Sequence, residues 1–173
     1  MIHSKPPADP LAHDFRAAMR QLAATVCVVT AGEGVGRRGL TATAVCSLSV
    51  TPPSMLVCVN RHGAAHRAIT EHGCFCVNIL AADQLDVAHR FAGNTGEAGE
   101  NKFAVGHWSQ LATGAPALDG SLINIDCALT SDVETESHSI FIGQVRQIRF
   151  GASNSPLLHY DRNFFSLADQ TAL

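Results

Sequence analysis

The sequence predicts a mainly β domain with short helices, a barrel with helical additions rather than an alternating βαβ sheet. Three observations lead there. Strand-like runs rich in Val, Ile, Thr and Phe recur along the chain, the helical stretches between them are short and off-centre, and no regular strand–helix alternation links them. With 173 residues, 46 % hydrophobic and 16 % charged, the chain can bury one substantial core. No linker, repeat or low-complexity block interrupts it, so one domain over 9–173 is expected behind a disordered tail of residues 1–8.

The elements follow in order. Asp9-Pro10 is a cap and first-turn pair, after which Leu11, Phe15, Ala18, Met19 and Leu22 recur at helical spacing. Thr25 to Thr30 is β-branched and apolar, as suits a buried strand. The Gly-rich turn GEGVGRRG joins it in a hairpin to GLTATAVCSLSV, read as one extended strand from Gly39. Pro52-Pro53 ends that strand, because proline has no N–H for the ladder, and Met55 to Asn60 is the next. Ala64 to Glu71 makes a short helix stopped near Gly73, and Cys74 to Leu80 a further strand. Asp83 is expected to cap a helix to Phe91, with Leu85, Ala88 and Phe91 facing inward. After a polar Gly-containing loop, Leu122 to Val133 and Ile140 to Phe150 form a hairpin, and Leu157 to Tyr160 and Phe164 to Leu167 close the chain as short strands.

Composition excludes several functions. Net charge is −3, with 12 Lys plus Arg and no basic cluster longer than Arg37-Arg38, so nucleic acid is a poor partner. No apolar run approaches the roughly 18–20 residues that span a bilayer. The N-terminus also lacks the apolar segment of a secretory signal, so a cytoplasmic protein is expected. Six cysteines lie in apolar, strand-like runs and read as reduced core residues, and among nine scattered histidines only His62 and His66 stand four apart, without an intervening Glu and as is commonplace on a surface helix. No metal site is expected.

Chemistry concentrates after Gly39. Thr41, Thr43, Ser47 and Ser49 occupy alternate positions, so in one strand they would line one face opposite Leu40, Ala42 and Leu48, although Val45 and Cys46 interrupt the pattern. Small hydroxyls beside exposed amides suit a flat, polar-edged ligand such as a flavin ring. They suit equally the polar side of an ordinary antiparallel sheet.

A run of motifs carries a family resemblance: GLTATAVCSLSVTPPSMLVCVNR, CVNIL, HRFAG, NKF, GAPALDGSLINIDC and PLLHYDRNF, in register from Phe15 to Leu167. Together they resemble the short flavin reductases of two-component monooxygenases, and are similar to the NADH:flavin reductases that partner 4-hydroxyphenylacetate 3-monooxygenase. That resemblance implies a split β-barrel of the FMN-binding flavin reductase type, usually homodimeric. It implies FMN or FAD near the subunit interface and NADH or NADPH as hydride donor, with diffusible reduced flavin delivered to a separate monooxygenase.

The resemblance also assigns residues. Thr41, Ala42 and Thr43 match positions beside the isoalloxazine, with Ser47 and Ser49 continuing towards ring or ribityl chain. Asn60 and Arg61 match a phosphate-binding pair, which serines commonly follow; this chain has His62, Gly63 and Ala64 instead, so His66 and backbone amides are candidates to substitute. Phe91 and Ala92 match a flavin contact at a helix end, where Phe91 also fits a core position. Lys102 either touches a dinucleotide or is solvated. His138 matches a hairpin histidine beside the nicotinamide, in Thr-Glu-Ser-His context where relatives carry Gly-Thr-His or Gly-Asp-His. Hydride transfer needs no proton at the carbon centre, so positioning is the role expected of it. Two other readings stay open: a non-enzymatic flavin carrier or redox sensor, and an oxidase resembling pyridoxamine phosphate oxidase. The sequence lacks the basic cluster that the latter's phosphorylated amine would demand.

Overall fold

The computed structural model describes residues 9–153 and 155–167, so the tail expected over 1–8 lies outside the described residues. The elements are α1 (Pro10–Arg20), β1 (Ala24–Thr25), β2 (Cys27–Ala31), β3 (Arg38–Ala42), β4 (Val45–Val50), β5 (Pro53–Asn60), α2 (Ala64–His72) and β6 (Cys74–Ile79). They continue with α3 (Leu85–Ala92), β7 (Trp108–Gln110), β8 (Pro116–Leu118), β9 (Ile123–Glu134), β10 (His138–Phe150), β11 (Leu157–Tyr160) and β12 (Asn163–Ser166). The expected mainly β chain with short helices is what forms.

One seven-stranded sheet, in the order β3-β2-β6-β9-β10-β5-β4, makes the body, beside a three-stranded sheet β1-β11-β12 and a two-stranded ribbon β7-β8. Here the structure corrects the strand expected from Gly39. That run is two strands, β3 and β4, at opposite ends of the sheet order and joined only by Thr43 and Ala44. Since consecutive Cα atoms are 3.8 Å apart, Ala42 and Val45 can stand at most about 11 Å from each other. The two edges must therefore meet at this corner, and the sheet must curl.

Packing records the same curl. Val29 of β2 and Val57 and Val59 of β5 share one core with Phe75, Phe141 and Ile69, although three strands separate β2 from β5 in the sheet. Leu40 and Ala42 pack against this core, and so does Val45, an odd step later. The corner thus inverts the alternation: Thr41 lies on the face opposite Leu40 and Ala42, whereas Ser47 shares the side of Val45. The four hydroxyls do not share one surface. The interruption at Val45 and Cys46 marks the place, without a Gly or Pro to announce it.

Helix α2 buries Ala65, Ala68 and Ile69 and packs against β2, β3 and β5, across the curl. Helix α3 packs on β3 and β2 through Val87, Ala88 and Phe91. Its cap position is Gln84 rather than Asp83, and Leu85 is 36 % exposed rather than inward, because the buried face is set by Val87, Ala88 and Phe91, to one side of that position. The hairpin β7-β8 was not expected, being three residues a side with a proline opening the second strand. α1 starts as expected, with Asp9 Oδ1 accepting from Leu11 N at 3.0 Å. All six cysteines are free; four are buried as expected, but Cys58 is only partly so and Cys46 is exposed, and burial pushes Cys27 and Cys127 up to about 12. Among the described residues no helix is long and apolar enough to cross a membrane.

Candidate functional site

Strand β3 ends the sheet order, paired with β2 on one side only. Alternate N–H and C=O groups on its free side are therefore unpaired within the sheet, a ready partner for a ligand with donors and acceptors along its edge. A cavity adjoins each end of the strand.

At the start of β3, a cleft of about 160 Å³ is lined by Arg38, Gly39, Asn60, Ala64 and Lys102 among others, with no carboxylate. Lys102 donates to the Phe91 carbonyl at 3.1 Å, and burial lowers its pKa from the usual lysine value. Gly39 has to be glycine here: a Cβ would stand 2.7 Å from the Phe91 ring. Phe91 is itself fully buried, 4.9 Å from the Phe103 ring and 5.3 Å from Trp108. Of the two expectations for Phe91, the ring serves the core. Phe91 lines neither cavity, and its carbonyl is held by Lys102.

Past the other end of β3, a cavity of about 370 Å³ is lined by Thr41, Ala42, Thr43, Ala92, His89 and Arg162 among others. This brings four of the residues singled out in sequence to one place. Thr41 Oγ1 donates to the Ala88 carbonyl at 2.7 Å, tying β3 to α3 and leaving the hydroxyl oxygen able to accept. Thr43 is exposed. Ala92 ends α3, where Gly93 takes the left-handed conformation that turns the chain away. Ser47 and Ser49 line neither cavity; they continue along β4, where Ser49 Oγ accepts from Thr51 N at 3.1 Å.

The remaining candidates gather around the β5–β10 pairing, where His138 sits opposite Asn60. Asn60 Oδ1 accepts from His62 N at 2.8 Å and bends the chain into α2. His66, in the first turn of α2, bonds Ser139 Oγ through Nε2 at 2.8 Å and lies 4.9 Å from the Phe141 ring. Arg61 reaches the β9–β10 hairpin: its guanidinium meets Glu134 at 2.7 Å and donates to the Thr135 carbonyl at 3.1 Å. Its charge is committed to that carboxylate, not left open for a phosphate. His138 Nδ1 bonds Ser137 Oγ at 2.8 Å, and Thr135 closes the turn by donating to the His138 carbonyl through both N and Oγ1. This fixes the ring's base and leaves Nε2 for a ligand.

Sequence reasoning passed over Arg38, His89, His159 and Arg162. They come from separate elements, and only the tertiary fold places Arg38 at the cleft by the start of β3 and His89, His159 and Arg162 together at the cavity past its other end. Among the described residues no three His, Cys, Asp or Glu side chains converge as a metal site would require.

Comparison with known proteins shows the family. The model of the flavin reductase like domain matches residues 19–168. An FMN reductase (NADH), RutF, from Stutzerimonas stutzeri is 38 % identical over 161 residues, covering 93 % of this chain and 91 % of that protein. Among solved structures, BorF, the flavin reductase component of a bacterial two-component tryptophan halogenase, is 33 % identical with a TM-score of 0.83, covering 92 % of this chain and 99 % of the other. The NADH:FAD oxidoreductase SgcE6 of Streptomyces globisporus, solved with NAD and FAD fragments, is 28 % identical with a TM-score of 0.84, covering 97 % and 100 %.

Proposed function

The chain belongs to the flavin reductase like domain family, a split β-barrel, and on that premise we propose that it passes hydride from a reduced nicotinamide dinucleotide to a flavin and supplies the product to a separate monooxygenase. The observation that carries this reading is the free edge of β3 with a cavity at each end. The residues present fit a flavin: edge amides and the Thr43 hydroxyl for the polar rim, and Arg38 and Lys102 for the phosphate.

When bound, the flavin supplies the electron sink for the hydride. The protein's own part is orientation. Backbone donors of β3 aimed at the ring rim favour the more negative, reduced form. His138, with Nδ1 bonded to Ser137, would hold the carboxamide or a phosphate of the dinucleotide through Nε2 and so orient the hydride donor. Arg61 acts through Glu134 and Thr135 to keep that hairpin in place. We take NADH and FMN as the working pair, after the activity named for the relative from S. stutzeri, and the cytoplasm as the compartment.

We also take the working unit to be a homodimer. Supporting this, Leu11, Phe15, Met19 and Leu22 form an exposed apolar stripe on and just after α1, which buries none of its residues in the single chain. Such a stripe needs a covering surface.

Purified protein mixed with NADH and FMN tests the reading: dihydronicotinamide absorbance is expected to fall catalytically with both present. Tight flavin binding without NADH consumption would instead favour a carrier.

A further inference from the structure

We propose that Arg162 binds a phosphate ester of one of the two nucleotides at the cavity beside Thr41–Thr43, a role that rests on the flavin reductase reading. The first observation is conformational. Tyr160 pairs with Asn163, leaving Asp161 and Arg162 as a two-residue turn between β11 and β12, with φ of 43° and 66°. These are the only two non-glycine residues with positive φ among the described residues. The second position of such a turn is where glycine is most at home, since an L side chain crowds the backbone. A long charged side chain held there is a structural cost without a structural return in the fold: among the described residues the Arg162 guanidinium meets no carboxylate and no hydrogen-bond partner. Strain of this kind collects where function demands it.

The second observation is placement. The turn is tied to the end of α1, with Asp161 N donating to the Arg20 carbonyl at 2.9 Å and Tyr160 Oη to Gln21 Oε1 at 2.8 Å. So fixed, Arg162 lines the cavity together with His89 and His159, and no carboxylate lines it. Phe164 is in edge contact with both imidazoles, 5.1 Å from His89 and 5.3 Å from His159, which braces two further donors at the cavity. A planar guanidinium with two imidazoles around an open space matches a phosphate, which Arg binds through two parallel bonds. Two molecules could bring that group here: the nicotinamide dinucleotide and the phosphorylated flavin.

The test uses substrates with and without phosphate. Arg162→Asn removes the charge while keeping a residue that tolerates the left-handed backbone, and Arg162→Lys restores the charge. Steady-state kinetics compare NADH with N-benzyl-1,4-dihydronicotinamide as donors, and FMN with riboflavin as acceptors. In Arg162→Asn the KM of at least one phosphorylated substrate is expected to rise about tenfold or more, with its phosphate-free counterpart unchanged and much of the loss recovered in Arg162→Lys. A rise for NADH alone assigns the dinucleotide, and a rise for FMN alone the flavin. Unchanged KM values, or equal effects with and without phosphate, overturn the proposal. Should the wild type reduce no flavin, the activity reading falls by itself; equilibrium dialysis of NADH, FMN and riboflavin with wild type and Arg162→Asn then decides the role of Arg162, an equal affinity overturning it.

Discussion

Arg61 and Glu134 meet at 2.7 Å, joining the end of β5 to the end of β9. The contact changes what Arg61 is for. A guanidinium that also donates to Thr135 and whose backbone N–H donates to Ser137 at 3.0 Å is a clamp on the hairpin that carries His138.

Arg61→Met should therefore act on the dinucleotide. The pair is partly exposed, with 37 % and 56 % of the two side chains accessible, so its loss should lower stability by no more than about 1 kcal/mol. Thermal melting should move little while the KM for NADH rises. Weaker binding of FMN with unchanged binding of riboflavin would show instead that Arg61 leaves Glu134 to take a phosphate.

His138→Ala is expected to raise the KM for the dinucleotide more than it alters flavin affinity, with kcat falling less than the KM rises. Gln in place of His keeps a donor near Nε2 and should recover part of the loss. Identical steady-state constants for wild type and His138→Ala would remove the hairpin from the site.

Thr41 and Thr43 separate stability from binding. Thr41→Val removes the bond to Ala88 and should lower unfolding free energy by about 0.5–1.5 kcal/mol, read from urea midpoints. Thr43→Val, at an exposed position, should leave those midpoints unchanged and weaken riboflavin binding in fluorescence titration.

Gly39→Ala should lower both. The added Cβ lies 2.7 Å from Phe91 and 3.1 Å from Thr30 Cγ2, and overpacking of this kind costs about 1–3 kcal/mol. Because Phe91 supports β3 from beneath, flavin affinity should fall with the melting temperature. A protein of wild-type stability would mean that the ring moves aside freely.

Alkaline pH should destabilise the fold. Burial raises Cys27 and Cys127 from 9.0 to about 12, so above pH 9 the unfolded chain releases thiol protons that the folded chain keeps. The unfolded state then binds fewer protons, and stability falls from about pH 9 to about pH 12. Burial raises Cys74 and Cys76 as well, while Lys102, lowered by burial, works in the opposite sense below 10.5, one amine against four thiols. The fall in melting temperature across that range should be smaller in a Cys27→Ala, Cys127→Ala double variant, with Cys74 and Cys76 carrying the remainder.

Much of this was legible in the chain. Asp9-Pro10 announced α1, β-branched runs announced β2 and β5, and the motifs in register led to the family. The corner at Thr43-Ala44 was not legible, because which strand pairs with which is decided across the whole sheet and not by alternation within ten residues. The same holds for the site. Thr41 to Thr43 and Ala92 were singled out by motif and line one cavity, whereas Arg38 and Arg162 acquire meaning only when the fold sets each beside a cavity at one end of β3. Arg61 looked free because its carboxylate lies 73 residues further on, at Glu134.

The curled sheet whose first and last strands touch at one corner without zipping together has a kinetic meaning. On the proposed reading, a ring held at the outer rim of β3 would slide away sideways, with no ladder bonds to break behind it. Such a scaffold favours brief occupancy, which is the property wanted in a courier that must surrender its cargo after every turnover.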